Sequence, residues 1–103
     1  MLERKISDAD AKTYAKDLMD AFDGFGTDED IIKEILLDNN PSATDVQAIF
    51  DAFGTPEYGT FGKPMWGTGT PMNLIEWIKK EVDNSTKLYA QLKIKFETAG
   101  YTF

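Results

Sequence analysis

The sequence predicts an all-α protein, a compact five-helix bundle with one long irregular loop between helices 3 and 4. Three observations point there. Apolar residues recur at helical spacing in five segments, capping residues or Gly/Pro punctuate those segments, and no stretch alternates convincingly as a strand would. With 103 residues, 42% hydrophobic and 13% aromatic, the chain is too apolar for disorder and short enough that residues 1–103 are expected to form a single helical domain.

The first helix is expected over about residues 8–22. Ser7 is placed to cap it, Asp8 and Asp10 fall in its first turn where negative charge suits the helix dipole, and Ala11, Tyr14, Leu18, Ala21 and Phe22 make one apolar stripe. Asp23-Gly24 ends it. Thr27 is the expected cap of the second helix, with Asp30 three positions on in a near-capping-box arrangement. Its apolar face is Ile31, Ile32, Ile35 and Leu36, and Asn39, Asn40 and Pro41 break it. The third helix starts at Ser42 or Thr44, carries Val46, Ile49, Phe50 and Phe53, and stops at Gly54.

Residues 55–71 contain three prolines, repeated Gly-Thr pairs and three aromatics, a composition that argues against helix. Loops of this length inside a compact domain are unusual and tend to be functional or flexible. Pro71 suits the first turn of the fourth helix with Thr70 as its cap, and Leu74, Ile75, Ile78 and Val82 form the buried side; Trp77 reads as core or core edge. Asp83-Asn84-Ser85 is a turn and cap. The fifth helix then runs to about Thr98 on a stripe of Leu88, Tyr89, Leu92 and Phe96, after which Gly100 ends it and Tyr101 and Phe103 are placed to fold back on the core.

An internal echo links residues 15–29 with 43–57, where eight of fifteen positions are identical at an offset of 28. Duplication and convergence on one helix-exit solution both account for it.

Composition removes several functions. There is no Cys and no His, which excludes disulfide frameworks, thiol nucleophiles, Cys/His zinc sites and imidazole acid–base chemistry. Lys and Arg total 11 against 18 Asp and Glu, a net charge of −7, so no nucleic-acid partner is expected. No apolar run is long enough to span a bilayer, and the opening MLERKISDAD lacks the apolar stretch of a secretory signal. The expected location is intracellular or within a virus particle.

Gly24-Phe25-Gly26-Thr27-Asp28-Glu29-Asp30 is the most specific stretch. Two glycines at i and i+2 between helices permit positive φ and expose successive carbonyls, which a hard cation such as Ca²⁺ accepts as ligands when a carboxylate arrives from elsewhere. The same residues also make a tight, well-capped structural corner with no ion. An EF-hand is excluded, because Asp20-Ala21-Phe22-Asp23-Gly24 does not place oxygen ligands at alternating positions.

This stretch resembles the Gly-x-Gly-Thr-Asp-Glu loop between the first two helices of an annexin repeat. Leu74-Ile75-Glu76-Trp77-Ile78-Lys79-Lys80-Glu81-Val82 is similar to the family's fourth helix, and the five-helix order matches one repeat over most of residues 8–99. The resemblance implies a Ca²⁺ site formed by the carbonyls of Phe22, Gly24 and Gly26 and the carboxylate of Glu81, with a secondary cation site at Thr27 and Glu29. Relative to the family, the chain has Asp23 before the first glycine, a far longer connection at 55–71, and one repeat where annexins have four or more.

The second candidate surface is the loop set Tyr58, Phe61, Met65 and Trp66. Exposed, these side chains form an apolar contact for a partner or a membrane interface; folded back, they cap the bundle. Lys79-Lys80 reads as a solvated helix face. Asp28 and Asp30 face different sides of a helix, which excludes a glycosidase-type carboxylate pair, and no nucleophile, base or cofactor motif points to an enzyme. The expected function is a structural or interaction module that docks on a protein or self-assembles, as an accessory component of a larger assembly such as a bacterial-virus particle. The alternative is Ca²⁺-dependent binding to anionic lipid, in which Ca²⁺ must bridge because the chain itself is negative.

Overall fold

A computed structural model describes residues 6–22, 27–58 and 69–103. Helix α1 (Asp8–Phe22) begins with Ser7 as expected: the Asp10 amide donates to the Ser7 hydroxyl at 3.1 Å and the Ser7 amide donates to the Asp10 carboxylate at 3.2 Å. That reciprocal pair satisfies two amide donors at the helix start. Ala11, Ala15, Leu18, Ala21 and Phe22 are buried along one face, and Tyr14 lies half-exposed at its margin. The alanines let α1 lie close along α3 (Ala43–Phe53).

Helix α2 (Glu29–Lys33) is capped one residue later than the sequence suggests. Asp28, not Thr27, accepts the Ile31 amide, at 3.3 Å. The Thr27 hydroxyl is turned elsewhere, onto Glu81. The helix continues as a π-helical turn over Glu34–Asp38, closed by the Asn39 amide donating to the Glu34 carbonyl at 2.9 Å. Asn40 then takes a left-handed conformation, φ 49°, which Asn tolerates better than most residues, and the chain turns at Pro41.

Ser42 and Asp45 form a full capping box at the start of α3, at 3.0 and 3.1 Å. The Asp45 carboxylate is buried and also accepts the Ile6 amide at 3.1 Å, tying the segment before α1 to α3. Gly54, at φ 65°, ends α3.

The loop that follows is not wholly irregular. Strand β1 (Glu57–Tyr58) pairs antiparallel with β2 (Thr70–Pro71), Glu57 opposite Pro71 and Tyr58 opposite Thr70. Among the described residues this two-residue ladder is the departure from an all-helical fold. Pro71 therefore does not open a helix and Thr70 is not a cap. Helix α4 (Leu74–Glu81) starts at Asn73, whose side chain accepts the Glu76 amide at 2.9 Å while Glu76 accepts the Asn73 amide at 3.0 Å. A complete capping box fixes the start better than a proline two residues upstream.

In the turn before α5 (Lys87–Thr98), the Asp83 carboxylate accepts both the amide and the hydroxyl of Ser85, each at 2.8 Å, and this pair holds the Asp83 carboxyl below its usual range. Asp83-Asn84-Ser85 is thus the expected turn but not the cap: Thr86 caps the helix by accepting the Tyr89 amide at 3.2 Å. After α5, Gly100 at φ 99° reverses the chain. Tyr101 stacks on Phe50 at 4.4 Å, Phe103 meets Phe96 at 5.8 Å, and the Gln47 amide donates to the Ala99 carbonyl at 2.9 Å. The predicted fold-back is present.

The core runs through all five helices. Leu18, Phe22, Ile32, Leu36, Val46, Ile49, Leu74, Trp77, Ile78, Leu92 and Phe96 are essentially inaccessible. No helix among the described residues is long and apolar enough to cross a membrane.

Candidate functional site

Glu81 is the last residue of α4, where the negative end of the helix dipole disfavours a carboxylate. Lys79 and Lys80 share that last turn, and two hydroxyls meet the carboxylate directly. Thr27 donates to Oε1 at 3.1 Å and Tyr58 donates to Oε2 at 2.6 Å. These bonds span 54 and 23 positions of sequence. One side chain thus joins the residue that follows the glycine corner, the base of the long loop and the end of α4.

The length of the 55–71 loop does not prevent Glu81 from reaching Thr27, because the loop is pinned at its base. The Tyr58 ring meets Trp77 edge-on at 4.8 Å, the Trp77 indole donates to the Pro56 carbonyl at 3.0 Å, and the Met72 amide donates to the same carbonyl at 3.2 Å. Beneath them Trp77 packs on Phe22 at 5.6 Å and Phe53 at 6.3 Å. Gly69 is required here: a Cβ at that position would lie 2.5 Å from the Tyr58 carbonyl oxygen. On the other side, the Asp28 amide donates to the Ala21 carbonyl at 2.9 Å, tying the start of α2 to the end of α1.

Burial, the hydrogen bond to Glu81 and the Glu81 charge push the Tyr58 phenol from 10.0 up to about 12. It remains a donor across the physiological range. Elsewhere, burial and then the nearby Asp51 charge raise Tyr101.

Of the residues named from sequence, Phe22, Thr27, Tyr58 and Glu81 gather in this region, with Phe22 in the core beneath it. Glu29 is exposed in the first turn of α2, where its charge suits the helix dipole. Gly24, Gly26, Phe61, Met65 and Trp66 lie outside the described residues. Tyr58, grouped from sequence with the partner-facing loop residues, turns inward and is half-buried. The sequence carried no signal for its pairing with Glu81.

The donor set suits a hard cation in kind, since carboxylate and hydroxyl oxygens are its preferred ligands. Each Glu81 oxygen keeps a lone pair beyond the one its hydroxyl donor uses. Among the described residues, no group of three or more Asp, Glu, His or Cys gathers. A site with one carboxylate falls at the weak end of the Ca²⁺ range, because affinity follows ligand charge.

Comparison of the chain with models of known protein families, with curated proteins and with solved structures finds no match.

Proposed function

We propose that this chain is a non-enzymatic interaction module, whose helical body presents the 59–68 segment to a protein partner or to another copy of itself. The natural setting is an accessory role in a larger assembly such as a bacterial-virus particle, in an intracellular or particle-bound location. The observation that carries this reading is the fixed base of the loop. The ladder between Glu57–Tyr58 and Thr70–Pro71, the Trp77–Pro56 bond and the Tyr58–Glu81 bond together anchor both ends of the segment to the bundle. Rigid elements that position an intervening segment are the usual platform for recognition.

Because its flanks are already paired antiparallel, residues 59–68 can be replaced by Asn-Gly, which together with Gly69 makes a three-residue hairpin connection between Tyr58 and Thr70. The shortened chain is expected to keep its helical circular dichroism and its thermal midpoint within a few degrees, while losing self-association in light scattering or capture of the partner that the full chain retains. Unaltered association would refute the reading.

A second reading rests on the Thr27–Glu81 contact. It brings the carboxylate implied by the annexin resemblance to the corner, and so supports Ca²⁺-dependent binding to anionic membrane surfaces. At a net charge of −7, the bound ion must bridge protein and lipid. Phosphatidylserine vesicles sedimented with and without Ca²⁺ separate the two readings. At 10 mM Ca²⁺, a site with Kd of about 1 mM stabilises the fold by about 1.4 kcal/mol. Glu81→Gln is expected to abolish that gain, and an equal gain in the variant would exclude Glu81 as the ligand.

A further inference from the structure

We infer that the groove between α1 and the π turn is a second docking surface, one that takes a basic amphipathic helix from a partner protein. This inference rests on the reading of the chain as an interaction module, but it concerns a face other than the long loop. The groove encloses about 620 Å³; Tyr14, Asp17 and Asp20 form its α1 bank, and Ile31, Glu34 and Ile35 form the other.

Its charge is uncompensated. Asp17, Asp20 and Glu34 line the groove with no lysine or arginine among the lining residues. Among the described residues, neither the Asp17 nor the Glu34 carboxylate has an ion-pair or hydrogen-bond partner. Lys33, next to Glu34 in sequence, is turned to Asp38 at 3.2 Å. Asp20 alone is paired, with Lys16 at 3.3 Å, and those side chains are 62% and 77% exposed, where such a pair contributes little.

These carboxylates are also placed against the interest of their own helix. Asp20 lies in the last turn of α1, which carries no basic residue, at the negative end of the dipole. Asp17 and Asp20 stand three residues apart on one helix face, and like charges at that spacing repel. A cation supplied from outside relieves both costs at once.

The floor and the spacing name the occupant. Half-buried Tyr14 and Ile31 and buried Ile35 make an apolar floor between acidic rims, the complement of a helix with apolar anchors flanked by basic residues. The carboxylates do not gather into a group that could hold one metal ion, so separate cationic side chains suit them. Arginine suits them best, because its planar fork meets a carboxylate through two parallel hydrogen bonds. A second copy related by a two-fold axis through this face would set carboxylate against carboxylate. Glu34 and Ile35 belong to the π turn, a rare feature that often occurs at functional sites.

The test titrates the full, isotope-labelled chain with a synthetic helix of about 15 residues bearing leucines on one face and arginines along both edges of that face. A second peptide carries glutamates in place of the arginines, and a third has the composition of the first in scrambled order. Saturable amide and methyl shifts are expected at Tyr14, Asp17, Ile31, Glu34 and Ile35 with the first peptide alone, weakening as salt is raised. The double variant Asp17→Asn, Glu34→Gln is expected to weaken binding at least tenfold while its thermal midpoint stays at or above that of the wild type, so the loss is not unfolding. Ile31→Ala, which leaves the charges in place, is expected to weaken binding as well. Replacing 59–68 with Asn-Gly is expected to leave these shifts unchanged, which separates failure of the groove from failure of the loop. No saturable shift, equal binding of the acidic or the scrambled peptide, undiminished binding by the double variant, the same groove shifts with MgCl₂ alone, or self-association of the free chain that the double variant abolishes would each overturn the inference.

Discussion

Removing the Tyr58 hydroxyl tests the junction at Glu81 directly. Tyr58→Phe keeps the ring against Trp77 and deletes one 2.6 Å hydrogen bond to a carboxylate. Hydrogen bonds to charged groups contribute about 1.5–3 kcal/mol, and the half-buried position of Tyr58 places this one at the lower end, near 1.5 kcal/mol. In a domain of this size that corresponds to a fall in Tm of about 5–10 °C. In a double-mutant cycle with Glu81→Gln, the two substitutions are expected to couple by about 1 kcal/mol. The phenol provides an independent readout. Its folded-state pKa is raised from 10.0 to about 12, so the stability it contributes is complete below about pH 10 and is lost as pH rises through 12. Phenolate absorbance of the wild type minus that of Tyr58→Phe should therefore titrate near 12. A difference curve centred near 10, together with a coupling below about 0.3 kcal/mol, would refute the junction.

Three further outcomes follow from the same geometry. Gly69→Ala places a Cβ against the Tyr58 carbonyl and should cost about 1–3 kcal/mol, comparable to overpacking; amide exchange at Thr70 and Met72 should quicken while that of α1 does not. Asp45→Ala removes the carboxylate half of the capping box and leaves the Ile6 and Ser42 amides without their acceptor, for a loss of about 2–3 kcal/mol in urea unfolding. Trp77→Ala should cost about 3–5 kcal/mol by opening a core cavity. Trp77→Phe should cost well under half of that, since the Met72 amide still donates to the Pro56 carbonyl.

Helices α1 and α3 were legible because their apolar stripes and caps agree: Ser7 with Asp10, and Ser42 with Asp45, each lie three residues apart beside a buried face; α5 was legible from its stripe, but its cap is Thr86 and not the Asp83-Asn84-Ser85 stretch. Where two residues competed for one role, spacing alone chose wrongly. Thr27 and Asp28 both suit a cap, and the outcome depended on a distant carboxylate claiming the threonine. Pro71 drew attention from the Asn73–Glu76 box, whose two bonds set the start of α4. The two-residue ladder is too short to alternate, and a π turn leaves no mark on apolar periodicity. The echo between 15–29 and 43–57 does not extend to environment. Phe22 is fully buried under Trp77, whereas Phe50 is half-buried against Tyr101; Thr27 holds Glu81, whereas Thr55 is exposed. Glu81 was singled out through the annexin resemblance, but its bond to Tyr58 joins residues that only the folded chain brings together.

The paired flanks at Tyr58 and Thr70 also bear on how the chain tolerates change. With both ends of the intervening stretch fastened to the bundle, its length is nearly decoupled from the stability of everything beneath it. Doubling a loop closed in this way adds only about 0.6 kcal/mol of closure entropy. The position is therefore a natural graft point, where unrelated peptides can be exchanged one for another while the helices that carry them stay the same.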